Sequence, residues 1–76
     1  MNVELLQQFR INVINYCYYL NQRARECASA GENLAANIYI EVNEVYLAQL
    51  EDIDFMIEEA SQEELIRLFN LDSIRN

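Results

Sequence analysis

The chain has 76 residues, and five basic against thirteen acidic residues give it a net charge of -8. We expect a single helical domain over residues 1–76. The acidity disfavours direct binding to nucleic acid and to anionic membranes, because both depend on Lys and Arg. It favours a protein partner with a basic surface, although acidity also simply keeps a small protein in solution.

The residue inventory argues against catalysis and cofactors. Histidine is absent, so the chain cannot assemble a Ser-His or Cys-His pair or the usual zinc ligands. A single glycine leaves no phosphate-binding loop. We therefore predict no enzyme activity, no cofactor and no metal requirement.

The apolar segments and the cysteines indicate the cellular compartment. No apolar run approaches the roughly 20 residues of a membrane span, and the N-terminus lacks the features of a signal peptide. We expect a cytoplasmic protein, and the cytoplasm of a host cell fits the same pattern. Cys17 and Cys27 would be about 15 Å apart on one helix, too far for a disulfide, so we expect buried, reduced thiols.

The first predicted element is a helix over about residues 2–30. Apolar residues recur there at steps of three and four, the spacing of one helical face. Gly31 can adopt the left-handed conformation that ends a helix, and Asn33 can cap the next one. The predicted face consists of Leu6, Phe9, Val13, Cys17, Leu20, Ala24 and Cys27.

The second predicted element is a helix over about residues 33–60, although the β-branched run 38–42 also suggests a strand. The helical period continues through this run and favours a helix. Gln49 falls near the centre of the predicted apolar face, where it either packs its stem or fixes the register of a helix pair or dimer. That face consists of Ala35, Ile38, Val42, Val45, Tyr46, Ile53, Met56 and Ala60.

A short third helix is predicted over about residues 62–70. Ser61 and Glu64 match the spacing of a capping box, and apolar residues follow. The expected fold is therefore an all-α bundle of two long antiparallel helices and one short C-terminal helix, completed by dimerisation.

The first helix carries more apolar surface than one partner helix can cover. A second apolar arc lies roughly 100° to 160° from its main face. Some of the five tyrosines also fit an interface, because the ring is apolar and the hydroxyl stays hydrated. We expect a homodimer that uses the second arc, which consists of Val3, Ile11, Ile14 and Tyr18.

Carboxylates are spaced as possible metal ligands on the second helix. The segments Glu41-x-x-Glu44 and Glu51-x-x-Asp54 resemble the E-x-x-E and E-x-x-D pairs of the MazG-related all-α nucleotide pyrophosphohydrolases, which implies a carboxylate-metal hydrolase as a remote alternative. In that family the two pairs lie on separate helices that face each other. Here both lie on one helix, and a straight helix cannot place four carboxylates around one ion.

The same carboxylates also form a surface. Acidic residues recur every seven positions, and two aliphatic residues lie among them, an arrangement that marks either a binding site or an ordinary solvated face. We predict partner binding by Ile40, Glu41, Glu44, Leu47, Glu51, Asp54 and Glu58.

Two classes of function fit the sequence better than the remote hydrolase alternative. The first is an inhibitor that occupies a basic, nucleic-acid-binding surface of a host protein. In size and charge the chain resembles small acidic phage and mobile-element proteins, including anti-CRISPR and anti-restriction proteins. The second is a homo-oligomeric structural or regulatory bundle. We prefer the first.

Overall fold

The computed structural model describes the backbone of residues 2–75 and the side chains of residues 2–70. This part of the chain consists of two helices, α1 (Val3–Ser29) and α2 (Asn33–Arg75), and contains no strand. The all-helical prediction is confirmed. The molecule measures 68 × 15 × 12 Å. Neither helix, over the residues described, is long and apolar enough to cross a membrane.

Local hydrogen bonds fix the ends of α1. Asn2 is the N-cap, and its Oδ1 accepts from the amide of Glu4 at 2.9 Å. Gly31 has a φ of 79°, in the left-handed region that favours glycine, and ends the helix as predicted. The amide of Glu32 then donates to the carbonyl of Cys27 at 2.8 Å, which closes the turn before α2.

The two helices meet along a seam with a heptad repeat. Its positions alternate by three and four residues on both helices, the a and d spacing of a coiled coil. Every one of them is buried or half-buried. The α1 positions are Val3, Leu6, Arg10, Val13, Cys17, Leu20, Ala24 and Cys27. The α2 positions are Ala36, Tyr39, Asn43, Tyr46, Leu50, Ile53, Ile57 and Ala60.

Side-chain contacts show that the helices are antiparallel, as predicted. Arg10 contacts Asp54, Tyr16 contacts Tyr46 and Arg23 contacts Tyr39, so numbers rise along α1 as they fall along α2. The centre of the seam is the buried cluster of Val13, Cys17 and Ile53, against which Tyr46, Leu50 and Ile57 pack.

The predicted break before a third helix does not occur. Helix α2 runs without interruption through Ser61 and Glu64 and ends at Arg75. The capping box is a local signal, and it ends a helix only where the preceding residues leave the helical conformation. Gln, Glu and Leu around Ser61 are good helix formers, and no glycine or proline follows Gly31, so the helix continues.

The predicted faces need two corrections. On α1, Phe9 is 51% exposed and lies outside the seam. On α2, the seam is rotated by one position from the predicted face, so Ile38 and Val45 are 53% and 58% exposed. Gln49 is exposed as well, and the polar residue in the α2 seam is Asn43.

The buried core is thin. Among the described side chains, five of the nine buried apolar residues are Ala or Cys. Seventeen large apolar residues are exposed over the same range, among them Leu65, Ile66, Leu68 and Phe69 near the C-terminal end of α2. Clusters of exposed apolar side chains are a common feature of interaction surfaces.

Candidate protein-binding surfaces

Two faces flank the seam. In an antiparallel heptad pair, the e and b positions of both helices lie on one side and the g and c positions on the other. The acidic face is the e and b side: Ile11, Ile14, Tyr18, Ile40, Glu44, Leu47, Glu51, Asp54 and Glu58. The aromatic face is the g and c side: Leu5, Phe9, Tyr16, Tyr19, Ile38, Val42, Val45, Gln49 and Met56.

Six of the seven residues predicted to bind a partner lie on the acidic face. Its two α2 aliphatics, Ile40 and Leu47, are each 46% exposed, so both are available for contact without being part of the core. The carboxylates beside them are exposed. The seventh residue, Glu41, is also exposed but lies on the outer side of α2, further from the seam.

One carboxylate of the acidic face already has a partner. The Nε atom of Arg10 donates to Oδ1 of Asp54 at 2.6 Å across the seam. Arg10 occupies a seam position, yet its side chain reaches this edge and remains 41% exposed. Asp54 is therefore partly neutralised, and Glu44, Glu51 and Glu58 carry more of the available negative charge.

The structure brings together two sets of residues that sequence reasoning had assigned to different surfaces. Ile11 lines a shallow depression with Arg10 and Asp54, which places it on the acidic face. Ile14 lies at about the level of Leu47 across the seam. The apolar surface among the carboxylates is therefore larger than Ile40 and Leu47 alone.

The residues predicted for self-association lie partly on the acidic face and partly in the seam. Ile11, Ile14 and Tyr18 are exposed on the acidic face, at 49%, 38% and 65%. Val3 is half-buried in the seam, and it lines a depression with Ala60 of α2. These four side chains do not form one surface.

Charge is distributed unevenly between the helices. Helix α1 has three arginines and two glutamates, whereas α2 has ten acidic residues and two arginines. Within α2, four carboxylates belong to the acidic face, while Asp52 and Glu59 occupy c positions of the aromatic face, in line with Ile38 and Val45. The negative charge of the molecule is therefore concentrated along α2, and the α2 positions of the aromatic face from Ile38 to Gln49 carry none of it.

The aromatic face is a layer of tyrosines that sequence reasoning did not locate. The rings of Tyr16 and Tyr19 stack with centroids 6.0 Å apart, and Tyr16 meets Tyr46 edge-to-face at 5.0 Å. The guanidinium of Arg23 lies 5.6 Å from the ring centre of Tyr39. Tyrosines three apart on one helix were the available signal, because that spacing puts Tyr16 and Tyr19 side by side.

Arg23 is held at the end of this face by two partners. Its Nη1 donates to Oε2 of Glu26 at 2.5 Å. Tyr39 and then Glu26 raise the pKa of Arg23 above its already high ordinary value, because both favour the charged guanidinium, so Arg23 stays charged. Arg23 and Glu26 thus offset each other, and this end of the aromatic face has little net charge.

Two buried groups in the seam are chemically distinct from their neighbours. Cys17 and Cys27 are both buried and unpaired, as predicted, and burial raises the pKa of the Cys17 thiol. A buried neutral thiol is a poor nucleophile. Asn43 Oδ1 is buried and accepts no hydrogen bond from the part of the chain described, at a seam position where one polar residue can specify register.

The carboxylates of α2 do not converge. Within residues 2–70, no group of three or more Asp, Glu, Cys or His side chains is close enough to hold a metal ion. Both carboxylate pairs lie on the same helix, as the sequence indicated. The carboxylates are spread along the exposed surface of α2 instead of enclosing a common point.

These features define a helical hairpin with two exposed faces. No protein-family model matches the chain, and no curated protein or solved structure is detectably similar to it.

Proposed function

We propose that this chain is a non-enzymatic protein-binding module that lays its acidic face on a basic, nucleic-acid-binding surface of another cytoplasmic protein and so inhibits it. The observation that carries the proposal is the alternation of exposed aliphatic and acidic side chains along one edge of α2. Ile40 and Leu47 are each 46% exposed there, and Glu44, Glu51 and Glu58 lie beside them.

The geometry suits a surface that binds phosphates. Glu44, Glu51 and Glu58 repeat about every 10.5 Å along a rigid helix. Arg and Lys side chains that bind phosphate also bind carboxylate, through the same charge-assisted hydrogen bonds. A basic groove is therefore a suitable partner, and one that is occupied by α2 is closed to nucleic acid.

Charge and apolar contact have separate roles in this proposal. Long-range attraction raises the association rate, and salt screens it. Lasting affinity comes from a few desolvated apolar anchors. Ile40 and Leu47 serve as anchors on α2, and Ile14 and Tyr18 extend the contact onto α1.

A matched pair of charge reversals tests the face. The double variant Glu44→Lys and Glu51→Lys alters the acidic face, while Asp52→Lys and Glu59→Lys makes the same change in charge on the other side of α2. Each is used to capture proteins from a host lysate. A specific partner should be retained by the control pair and lost by the first pair.

The captured protein then provides the functional test. Duplex DNA or RNA should compete with the wild-type chain for it, and the chain should inhibit its binding to nucleic acid. If the two reversal pairs capture the same proteins equally well, the acidic face is a solvated surface and the proposal is wrong.

The aliphatic anchors have their own control. Ile40→Ser with Leu47→Ser should speed dissociation from the partner on the order of tenfold or more, since anchor residues act on the dissociation rate. Leu34→Ser with Phe55→Ser removes large apolar side chains from the outer side of α2, on neither face, and should leave that rate unchanged. All four residues are at least 46% exposed, so neither pair of substitutions should unfold the chain, and the two dissociation rates can be compared directly.

A further inference from the structure

We propose that a second copy of this chain packs on the aromatic face, so that two hairpins form a four-helix homodimer with the acidic faces on its outside. The proposal does not depend on the function proposed above. It rests on the area of the aromatic face, on the distribution of charge and on the uncovered apolar stripe of α2.

The aromatic face has enough apolar area for a dimer. Phe9, Tyr16 and Tyr19 are 51%, 41% and 49% exposed. An aromatic side chain offers roughly 150–250 Å², so these three expose on the order of 300 Å². The aliphatic residues of the face bring the total to about 600 Å², and with polar edges it approaches the roughly 800 Å² per partner of a standard interface.

The area extends over both helices. Leu5 is 68% exposed on α1, while Ile38 and Val45 are 53% and 58% exposed on α2. Val42 and Met56 are half-buried between these residues and the seam. A single additional helix would cover one stripe of this surface, whereas a second hairpin presents a two-helix surface of the same width.

Among the two faces, charge opposes a second copy least on the aromatic face. Each copy has a net charge of -8, so two copies repel each other wherever their carboxylates approach. The α2 positions of the aromatic face from Ile38 to Gln49 are uncharged, and Arg23 is paired with Glu26 at the same end, whereas Asp52 and Glu59 lie beside Met56 at the other end. This face lets two acidic chains meet with the least repulsion, whereas a basic partner is drawn to the acidic face instead.

The polar atoms of the face fit a symmetric interface. A two-fold dimer places the same patch on both sides, so each polar group must meet its own copy or water. The tyrosine rings supply apolar area while their hydroxyls remain at the wet edge. Gln49 is exposed among Val42, Val45 and Met56, and its amide can both donate and accept toward the same group of the other copy.

Adjacent tyrosines give a matched test. Tyr19 lies on the aromatic face and is 49% exposed, and Tyr18 lies on the acidic face and is 65% exposed. Light scattering of the wild-type chain between about 1 and 200 μM should show twice the monomer mass of 9.0 kDa. Tyr19→Glu should raise the dimer dissociation constant on the order of 100-fold, and Tyr18→Glu should change it less than about threefold.

A second pair guards against loss of fold. Val45→Glu on the aromatic face and Leu47→Glu on the acidic face introduce the same charge on the same helix, and circular dichroism reports the helix content of each. If Tyr19→Glu does not fold, Tyr19→Ser replaces it. A wild-type chain that remains monomeric throughout this range overturns the proposal. So does a dimer that is weakened as much by Tyr18→Glu and Leu47→Glu as by their aromatic-face counterparts.

Discussion

The acidic and aromatic faces flank the same seam, yet they differ in what surrounds their apolar side chains. On the acidic face, Ile40 and Leu47 are separated by Glu44 and followed by Glu51. On the aromatic face, Ile38, Val42 and Val45 follow one another without a charge. Exposed apolar area alone therefore does not distinguish the two faces, whereas the pattern of carboxylates does.

Under the two proposals, one small hairpin offers two binding surfaces that differ in the charge of the partner they favour. A basic partner gains attraction from the acidic face and little from the other. A second acidic copy is repelled by the acidic face and less so by the aromatic one, whose α2 positions from Ile38 to Gln49 carry no charge. We infer that charge determines which partner each face favours, and that apolar contact provides most of the affinity.

The largest loss of stability should come from substitutions in the seam. The seam must stay intact for the two faces to be compared. Leu20 is 2% exposed, and Leu20→Ala should lower the free energy of unfolding by about 2–4 kcal/mol, because it leaves a cavity between the helices. Leu34 is 78% exposed and lies on neither face, so Leu34→Ala should change stability by less than about 0.5 kcal/mol. Urea unfolding measures both, and equal losses would mean that the seam is misplaced.

A smaller loss is expected from Cys17, which lies between the two faces and belongs to neither. Cys17→Ala should cost about 1 kcal/mol or somewhat more through lost packing and should alter neither binding activity. Both thiols are buried and unpaired, so reductant should leave the oligomeric state unchanged. A dimer that dissociates in dithiothreitol would contradict this expectation.

The same residue predicts a dependence on alkaline pH. Burial raises the pKa of Cys17 above its ordinary value of 9.0, so the folded protein favours the neutral thiol. The contribution of this buried thiol to the free energy of unfolding is fully present below about pH 9. It is lost as the pH rises, because the thiol ionises first in the unfolded chain. The difference in unfolding free energy between wild type and Cys17→Ala should therefore narrow as the pH rises above the ordinary thiol pKa of 9.0. A difference that stays constant would mean that Cys17 is solvated.

Salt should act in opposite directions on the two faces. Between about 0.1 and 1 M salt the screening length falls from about 10 to 3 Å. Repulsion between two acidic copies weakens, so dimerisation should strengthen about three- to tenfold, while binding to a basic partner should weaken by a similar factor or more. Glu44→Lys with Glu51→Lys changes the net charge from -8 to -4 and should flatten both responses. Two dependences of the same sign would remove the distinction between the faces.

The smallest effect is expected from Asp54. Its ion pair with Arg10 is short, but the two side chains are 54% and 41% exposed. Exposed pairs contribute about 0–1 kcal/mol, so Asp54→Asn should shift stability by at most about 1 kcal/mol. Thermal melting at low and high salt measures it. A loss well above that range would show that the pair fixes the register of the hairpin.

The sequence predicted α1 better than α2 for a physical reason. On α1, the seam is apolar at every position from Val13 to Cys27, and six of the seven residues predicted for its main face are buried. Helix α2 has two apolar stripes about one position apart. The predicted face fell largely on the stripe of Ile38, Val42 and Val45, which the structure exposes on the aromatic face. Periodicity identifies an apolar stripe but does not say which neighbour covers it.

The seam of α2 depends on fit between the helices. Near the turn, the small Ala36 and the large Tyr39 occupy seam positions, opposite a stretch of α1 that holds Ala24 and Cys27. Close packing of this kind is a tertiary effect, and hydrophobic period alone does not contain it. The proposed partner-binding residues were easier to place, because a seven-residue repeat keeps Glu44, Glu51 and Glu58 in line whichever stripe is buried.

Helix α2 is longer than the partner that stabilises it. Residues 62–70 are exposed, and the start of α1 reaches only the first of them, where Glu63, Glu64 and Arg67 line a depression with Val3 and Glu4. A helix depends on tertiary packing for most of its stability, so the end of α2 that is less covered should open more readily. Backbone amides beside α1 should therefore exchange with solvent only through opening of the hairpin, whereas those at the far end follow a local helix–coil equilibrium. One continuous helix thus has two different stabilities along its length.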